Sequence, residues 1–139
     1  MEKTVSLHEV PALAKTIAQK LKPGLVIALN GDLGAGKTTF TQALAKAAGI
    51  TETVNSPTFV IMNVYTGPIK FYHFDLYRLN SIEDLENIGG EELIPSQDGI
   101  TLLEWAEKIP EILPPHYMQI DITYKNEDSR IFKITEHGQ

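Results

Sequence analysis

An α/β fold, with a mixed and mostly parallel sheet flanked by helices, follows from three features of the sequence. The apolar run 25–29 shows no alternation, a glycine-rich loop leaves it at once, and an Ala- and Leu-rich helical stretch follows the loop. A strand covered on both faces, then a turn, then a helix is the unit from which parallel sheets are built. With 139 residues the chain suits one domain, 1–139, around a single core.

Leu13, Ile17 and Leu21, flanked by Ala14 and Ala18, recur every four residues and predict a helix over roughly 9–22. Pro11 fits its first turn, where a missing N–H is harmless, and Pro23-Gly24 ends it. The run 25–29 is the central strand, and 39–48 is a helix closed by Gly49. After a loop at 54–57, the apolar stretches 59–65 and 69–74 are separated only by Thr66-Gly67-Pro68, too short for a helical crossover. They are expected to pair antiparallel, as a hairpin over about 59–74. Ser81-Ile82-Glu83-Asp84 is a helix start with a capping hydroxyl and early acids, and Gly89-Gly90 stops that helix. Residues 100–103 form a short strand ending at Glu104-Trp105, and Pro110, Pro114 and Pro115 break up the connection after it. Met118, Ile120 and Ile122 alternate with polar residues and 130–135 returns after a turn at 126–129, giving a second hairpin over about 117–135. No internal repeat or low-complexity tract is present.

Gly31-Asp32-Leu33-Gly34-Ala35-Gly36-Lys37-Thr38 has the spacing of glycine, four residues, glycine, lysine and a hydroxyl residue. Glycines let the backbone adopt positive φ and approach a ligand, so successive N–H groups can form a nest for phosphate oxygens. The helix that follows presents its positive end to the same anion, the Lys37 ammonium can reach the β- and γ-phosphates, and the Thr38 hydroxyl is a hard ligand for Mg²⁺. The motif sits between a buried strand and a helix, the context that separates a phosphate loop from a flexible Gly-rich turn. The domain is therefore expected to have a P-loop NTPase fold that binds a nucleoside triphosphate, ATP foremost, with Mg²⁺ and hydrolyses it slowly.

A magnesium nucleotide site commonly adds a carboxylate at the end of a neighbouring strand. Asp75, after Phe71-Tyr72-His73-Phe74, and Glu104, after Ile100-Thr101-Leu102-Leu103, both qualify, although either also suits the first polar residue of a strand leaving the core. One would hold metal or its waters and the other would orient the attacking water. His73, among apolar residues, reads as a hydrogen-bonded core histidine rather than a ligand. Trp105 either packs, shields the site or stacks on a base. Arginine occurs only at Arg78 and Arg130. Because an arginine on the transition-state charge can contribute on the order of 10³ to 10⁵ in rate, so few arginines predict a slow enzyme when alone.

Net charge −6 counts against a broad non-specific grip on nucleic acid. The absence of cysteine excludes disulfides, thiolate metal sites and cysteine nucleophiles. The N-terminal residues lack a basic segment followed by an apolar one, and no apolar run is long enough to cross a bilayer, so a cytoplasmic location is the default expectation.

Taken together, the motifs resemble the TsaE (YjeE) family of small bacterial ATPases. The resemblance rests on the loop 31–38 extended by Thr39-Phe40, on Asn55-Ser56-Pro57-Thr58-Phe59, on His73-Phe74-Asp75-Leu76-Tyr77-Arg78-Leu79 and on Leu103-Glu104-Trp105, in that order. It covers nearly the whole chain, most strongly 25–105. It implies an ATPase partner of TsaB and TsaD in making N6-threonylcarbamoyladenosine (t6A) at position 37 of tRNAs reading codons that begin with adenosine, with TsaD performing the transfer and tRNA met through the complex. By this resemblance, Gly31, Leu33, Gly34, Ala35, Gly36, Lys37, Thr38 and Thr39 bind the ATP phosphates, and Thr38 and Glu104 bind Mg²⁺. Lys37, Asp75 and Glu104 are catalytic and Trp105 is needed for activity. Ser56, Pro57 and Thr58 form a switch sensing the γ-phosphate, and Leu7 and Arg130 lie on the adenine side.

Two rival readings stand beside this one. A small-molecule kinase of the P-loop class would need a basic lid and acceptor site, for which two arginines and no Lys/Arg-rich insertion offer little. A non-catalytic adaptor would use ATP binding alone to order a partner-facing loop. A GTP switch fits less well, since no Asn-Lys-x-Asp segment is present.

Overall fold

The computed structural model describes residues 1–31, 35–52 and 62–138. The expected loop residues Leu33 and Gly34, the switch residues Ser56, Pro57 and Thr58, and positions 59–61 of the first hairpin lie outside the described residues.

Seven strands form one sheet: β1 (Glu2–Ser6), β2 (Val26–Asn30), β3 (Met62–Tyr65), β4 (Lys70–Asp75), β5 (Gly99–Glu104), β6 (Tyr117–Asn126) and β7 (Ser129–His137). Their order is β1-β7-β6-β2-β5-β4-β3. The inner pairings β6·β2, β2·β5 and β5·β4 are parallel, whereas β1·β7, β7·β6 and β4·β3 are antiparallel. The expected mixed sheet with two antiparallel hairpins is found, as a parallel centre flanked by antiparallel margins among the described residues. The two hairpins account for part of that margin. The remainder is β1, which the sequence did not announce: of its five residues only Val5 is buried, so no apolar alternation marks it, and its partner strand lies at the far end of the chain.

The helices are α1 (Val10–Ala18), α2 (Lys37–Ala47) and α3 (Ile82–Asn87). Helix α1 is shorter than the expected 9–22. Past Ala18 the backbone tightens to bonds from Lys20 to Ile17 and from Leu21 to Ala18. Helix α2 starts two residues earlier than expected. Ser81 caps α3 by accepting from the Asp84 amide at 3.3 Å, as its sequence predicts.

Helices α1 and α2 cover one face of the sheet, where Leu13, Ile17, Phe40 and Leu44 pack on Ile27, Leu29, Ile100, Leu102 and Phe132. On the opposite face Leu85 of α3 and Ile94, Ile109 and Ile112 pack on Val26, Phe74 and Leu103. A central strand buried on both sides explains its unbroken apolar run. No described helix is long and apolar enough to cross a membrane.

Candidate active site

The C-terminal ends of β2, β5 and β4 meet beside the start of α2, the position where open α/β sheets bind ligands. Asn30 ends β2, and its amide donates to Asp121 Oδ1 at 3.0 Å, tying the strand exit to β6. Gly31 must lack a side chain: a Cβ there would lie 2.9 Å from the Ile122 carbonyl oxygen and 3.2 Å from the Ala35 Cβ. Gly36 has φ +106° at the N-cap of α2, and no side chain caps that helix. The first-turn amides of an 11-residue helix are therefore left for another acceptor, and the positive helix end faces the same space. Of the remaining expected phosphate-loop residues, Ala35 is buried in the core, Thr38 is half-buried and Thr39 is exposed, all at or just before the first turn of α2.

Lys37 does not point into solvent. Its ammonium is 3.6 Å from Glu104 Oε1 and 4.6 Å from the centre of the Trp105 ring. The side chains of Lys37 and Glu104 are only 10% and 5% exposed, so this is a buried ion pair. In register, Glu104 stands opposite Leu29 of β2 on one side and Asp75 of β4 on the other. The two carboxylates singled out by the sequence are thus neighbours at the ends of adjacent parallel strands. Asp75 Oδ1 accepts from the Tyr77 amide at 2.9 Å, which fixes that carboxylate at the strand exit.

Trp105 adopts φ +64°, a left-handed conformation costing a bulky residue about 1–2 kcal/mol. The reversal lets the indole fold back between Lys37 and the Tyr77 ring, whose centroid is 5.0 Å away. Lys108 in turn lies over Tyr77, 4.8 Å from its centroid, and donates to the Tyr77 carbonyl. Trp105 is therefore beside Lys37 while also packing, partly buried, against the core on the α3 face.

The fully buried His73 donates or accepts through Nε2 at 2.6 Å from Glu104 Oε2. The expectation of a hydrogen-bonded core histidine is met, but the identity of its partner was not foreseen. The available signal was spacing: residues two apart on a strand share a face, so His73 faces the same side as Asp75 and, through the register, Glu104.

Leu7 and Arg130 come together beside the turn between β6 and β7. The Leu7 amide donates to the Asp128 carbonyl at 2.8 Å, and its side chain is exposed. Arg130 Nε donates to the Ala35 carbonyl at 3.0 Å, one nitrogen of the guanidinium donates to the carbonyls of Asn126 and Ser129, and the group lies 4.7 Å over the Tyr124 ring. A residue of the last strand is in this way bonded directly to the backbone of the phosphate loop. The exposed Tyr124, also at this edge, was not singled out by the sequence.

Thr38, in the first turn of α2, could offer a hydroxyl and Glu104, at the end of β5, a carboxylate to a hard divalent ion. Among the described residues no group of three or more His, Asp or Glu forms a metal cage.

Known proteins are similar to this chain over most of its length. The family model described as "Threonylcarbamoyl adenosine biosynthesis protein TsaE" matches residues 4–132. The chain is 44% identical over 137 residues to the tRNA threonylcarbamoyladenosine biosynthesis protein TsaE of Bacillus subtilis, covering 98% of this chain and 85% of that protein. It is 46% identical over 125 residues to the TsaE protein of a Nostoc species, covering 86% and 75% respectively. Among solved structures, it is similar to that of Bacillus YdiB, with a TM-score of 0.79 and 38% identity over 99% of this chain and 86% of that one.

Proposed function

The chain belongs to the TsaE family, and from that premise we propose that it is the ATP-binding and hydrolysing component of tRNA t6A37 modification, acting with TsaB and TsaD to drive or reset their cycle. The observation that carries the reading is the buried meeting of Lys37, at the uncapped start of α2, with Glu104, at the end of β5. A cation and a carboxylate kept from water at a helix N-terminus are arranged for a charged ligand that replaces their mutual contact.

In this reading the α2 amides and the Lys37 ammonium bind the triphosphate, and Gly31, Leu33, Gly34, Ala35, Gly36, Thr38 and Thr39 line it. Thr38 and Glu104 hold Mg²⁺, which when bound offsets phosphate charge. Asp75, fixed next to Glu104, orients the attacking water, and Trp105 excludes bulk water from the reacting end. Arg130 and Leu7 border the nucleotide on the β6–β7 side, and Ser56, Pro57 and Thr58 respond to the γ-phosphate. Exclusion of water strengthens each of these interactions, because the effective dielectric falls. With Arg130 engaged on loop backbone, turnover alone is slow and hydrolysis depends on the partners.

The test is t6A formed over many turnovers in a reconstituted TsaB–TsaD system with purified tRNA, with free phosphate followed in parallel. Lys37→Ala and Asp75→Ala are expected to stop synthesis after about one round. Undiminished multi-turnover synthesis by either variant overturns the reading. Phosphate recovered on a metabolite would indicate a kinase, and synthesis without phosphate release an adaptor.

A further inference from the structure

We propose that His73 is a positioning residue that holds Glu104 in place for the metal. The proposal rests on the reading of Glu104 as a metal ligand.

His73 and Glu104 are both nearly inaccessible, with side chains 1% and 5% exposed, and 2.6 Å separates Nε2 from Oε2. A bare nitrogen facing a carboxylate at this distance would be repelled, so the proton is on Nε2. The other ring nitrogen, Nδ1, is buried and has no hydrogen-bond partner among the described residues. The ring therefore donates to Glu104.

The two carboxylate oxygens are consequently distinguished. Oε2 is pinned by His73, and Oε1 faces Lys37 at 3.6 Å. If phosphate were to draw the ammonium away, Oε1 would be freed while Oε2 would stay held by His73. Without His73, Glu104 would be free to follow the lysine or rotate about its side-chain bonds. A donor that orients a metal-binding side chain is worth about 10- to 100-fold in metal affinity when removed. A lysine or arginine at position 73 would instead compete with the divalent ion for the same carboxylate.

The experiment measures binding of a fluorescent ATP analogue to the full chain, without turnover, across Mg²⁺ concentrations and in EDTA. His73→Phe keeps the ring and removes the donor, while His73→Gln replaces the donor at similar reach. The phenylalanine variant is expected to raise the Mg²⁺ concentration for half-saturation by about tenfold or more, with EDTA affinity within about threefold of the parent. The glutamine variant restores the parent value. In a Glu104→Gln background, His73→Phe adds less than about twofold, since the group it positions is gone. If His73→Phe does not fold, as judged by circular dichroism, His73→Met against His73→Gln makes the same comparison at matched length. An unchanged Mg²⁺ requirement in the donor-less variant, with Glu104→Gln shifted, overturns the positioning role alone. An unchanged requirement in Glu104→Gln overturns the metal-ligand reading and this proposal with it. Equal losses in EDTA and in Mg²⁺ would mark His73 as merely structural and also overturn the proposal.

Discussion

Replacing Glu104 by glutamine is expected to change nucleotide affinity in opposite directions with and without Mg²⁺. The carboxylate holds the lysine that phosphate must recruit, at 3.6 Å and almost sealed from water. At an effective dielectric of about 20 the gross attraction is roughly 4–5 kcal/mol, much of it offset by the cost of desolvating both charges. Binding metal-free ATP breaks this contact and brings phosphates up to an uncompensated carboxylate. If about a third of the gross attraction is recovered when Glu104 becomes neutral, metal-free ATP binds roughly tenfold more tightly to Glu104→Gln than to the parent. With Mg²⁺ the sign reverses, because a charged ligand is gone, and the Mg²⁺ concentration for half-saturation rises at least about tenfold. Glutamine still accepts the His73 hydrogen bond, so the local packing survives. Titration calorimetry in EDTA and then over a Mg²⁺ series supplies both numbers. Weaker binding in EDTA, or a shift of the same sign in both conditions, refutes the view that Lys37 and Glu104 hold each other until ligand separates them.

Three further outcomes are expected. Gly36→Ala forces a side chain into φ +106°, while its Cβ would meet nothing nearer than Arg130 Nε at 3.8 Å; the penalty is conformational, about 1–2 kcal/mol. Thermal melting should fall by roughly 3–8 °C, and Gly36→Asn should lose less. Arg130→Gln removes the bonds to Ala35, Asn126 and Ser129, and calorimetry should show ATP affinity reduced about tenfold with β-sheet content unchanged by circular dichroism; parent-like affinity would show that the loop holds its shape without this tether. Hydrogen bonds from the Tyr72 and Ser96 hydroxyls, and then Lys70, hold Asp98 at about 2 against an ordinary 3.8. A carboxyl held below its ordinary value contributes stability fully present above that value and lost as pH falls through its folded one. The stability difference between parent and Asp98→Asn in urea titrations should therefore be constant from about pH 7 to 5 and close between about pH 4 and 2, and a gap still open at the acid end would contradict this.

The elements legible in the sequence are those whose signals are local. Helix α2, the Ser81 cap and the central strand each depend on residue types within one or two turns or one strand. The alternation in β6 likewise follows from one face meeting the core. Strand β1 was not legible because four of its five residues stay at least partly exposed and only pairing with β7 makes it a strand. The early end of α1 was similarly hidden, since Leu21 still packs on the core after the helix has unwound.

For the site, spacing alone identified the phosphate loop, because glycine conformations and a lysine at a helix start are properties of consecutive residues. Asp75 and Glu104 were legible for a related reason: each is the acid that follows an apolar strand. Only the tertiary structure could decide what those groups touch. That Lys37 faces Glu104 and Trp105, that His73 fixes the other carboxylate oxygen, and that Arg130 reaches back to Ala35 all depend on strand order and register. Charge interactions and hydrogen bonds act through a few ångströms of space with no regard for separation along the chain. A linear pattern can thus name the chemical groups, while the packing of the sheet determines their partners.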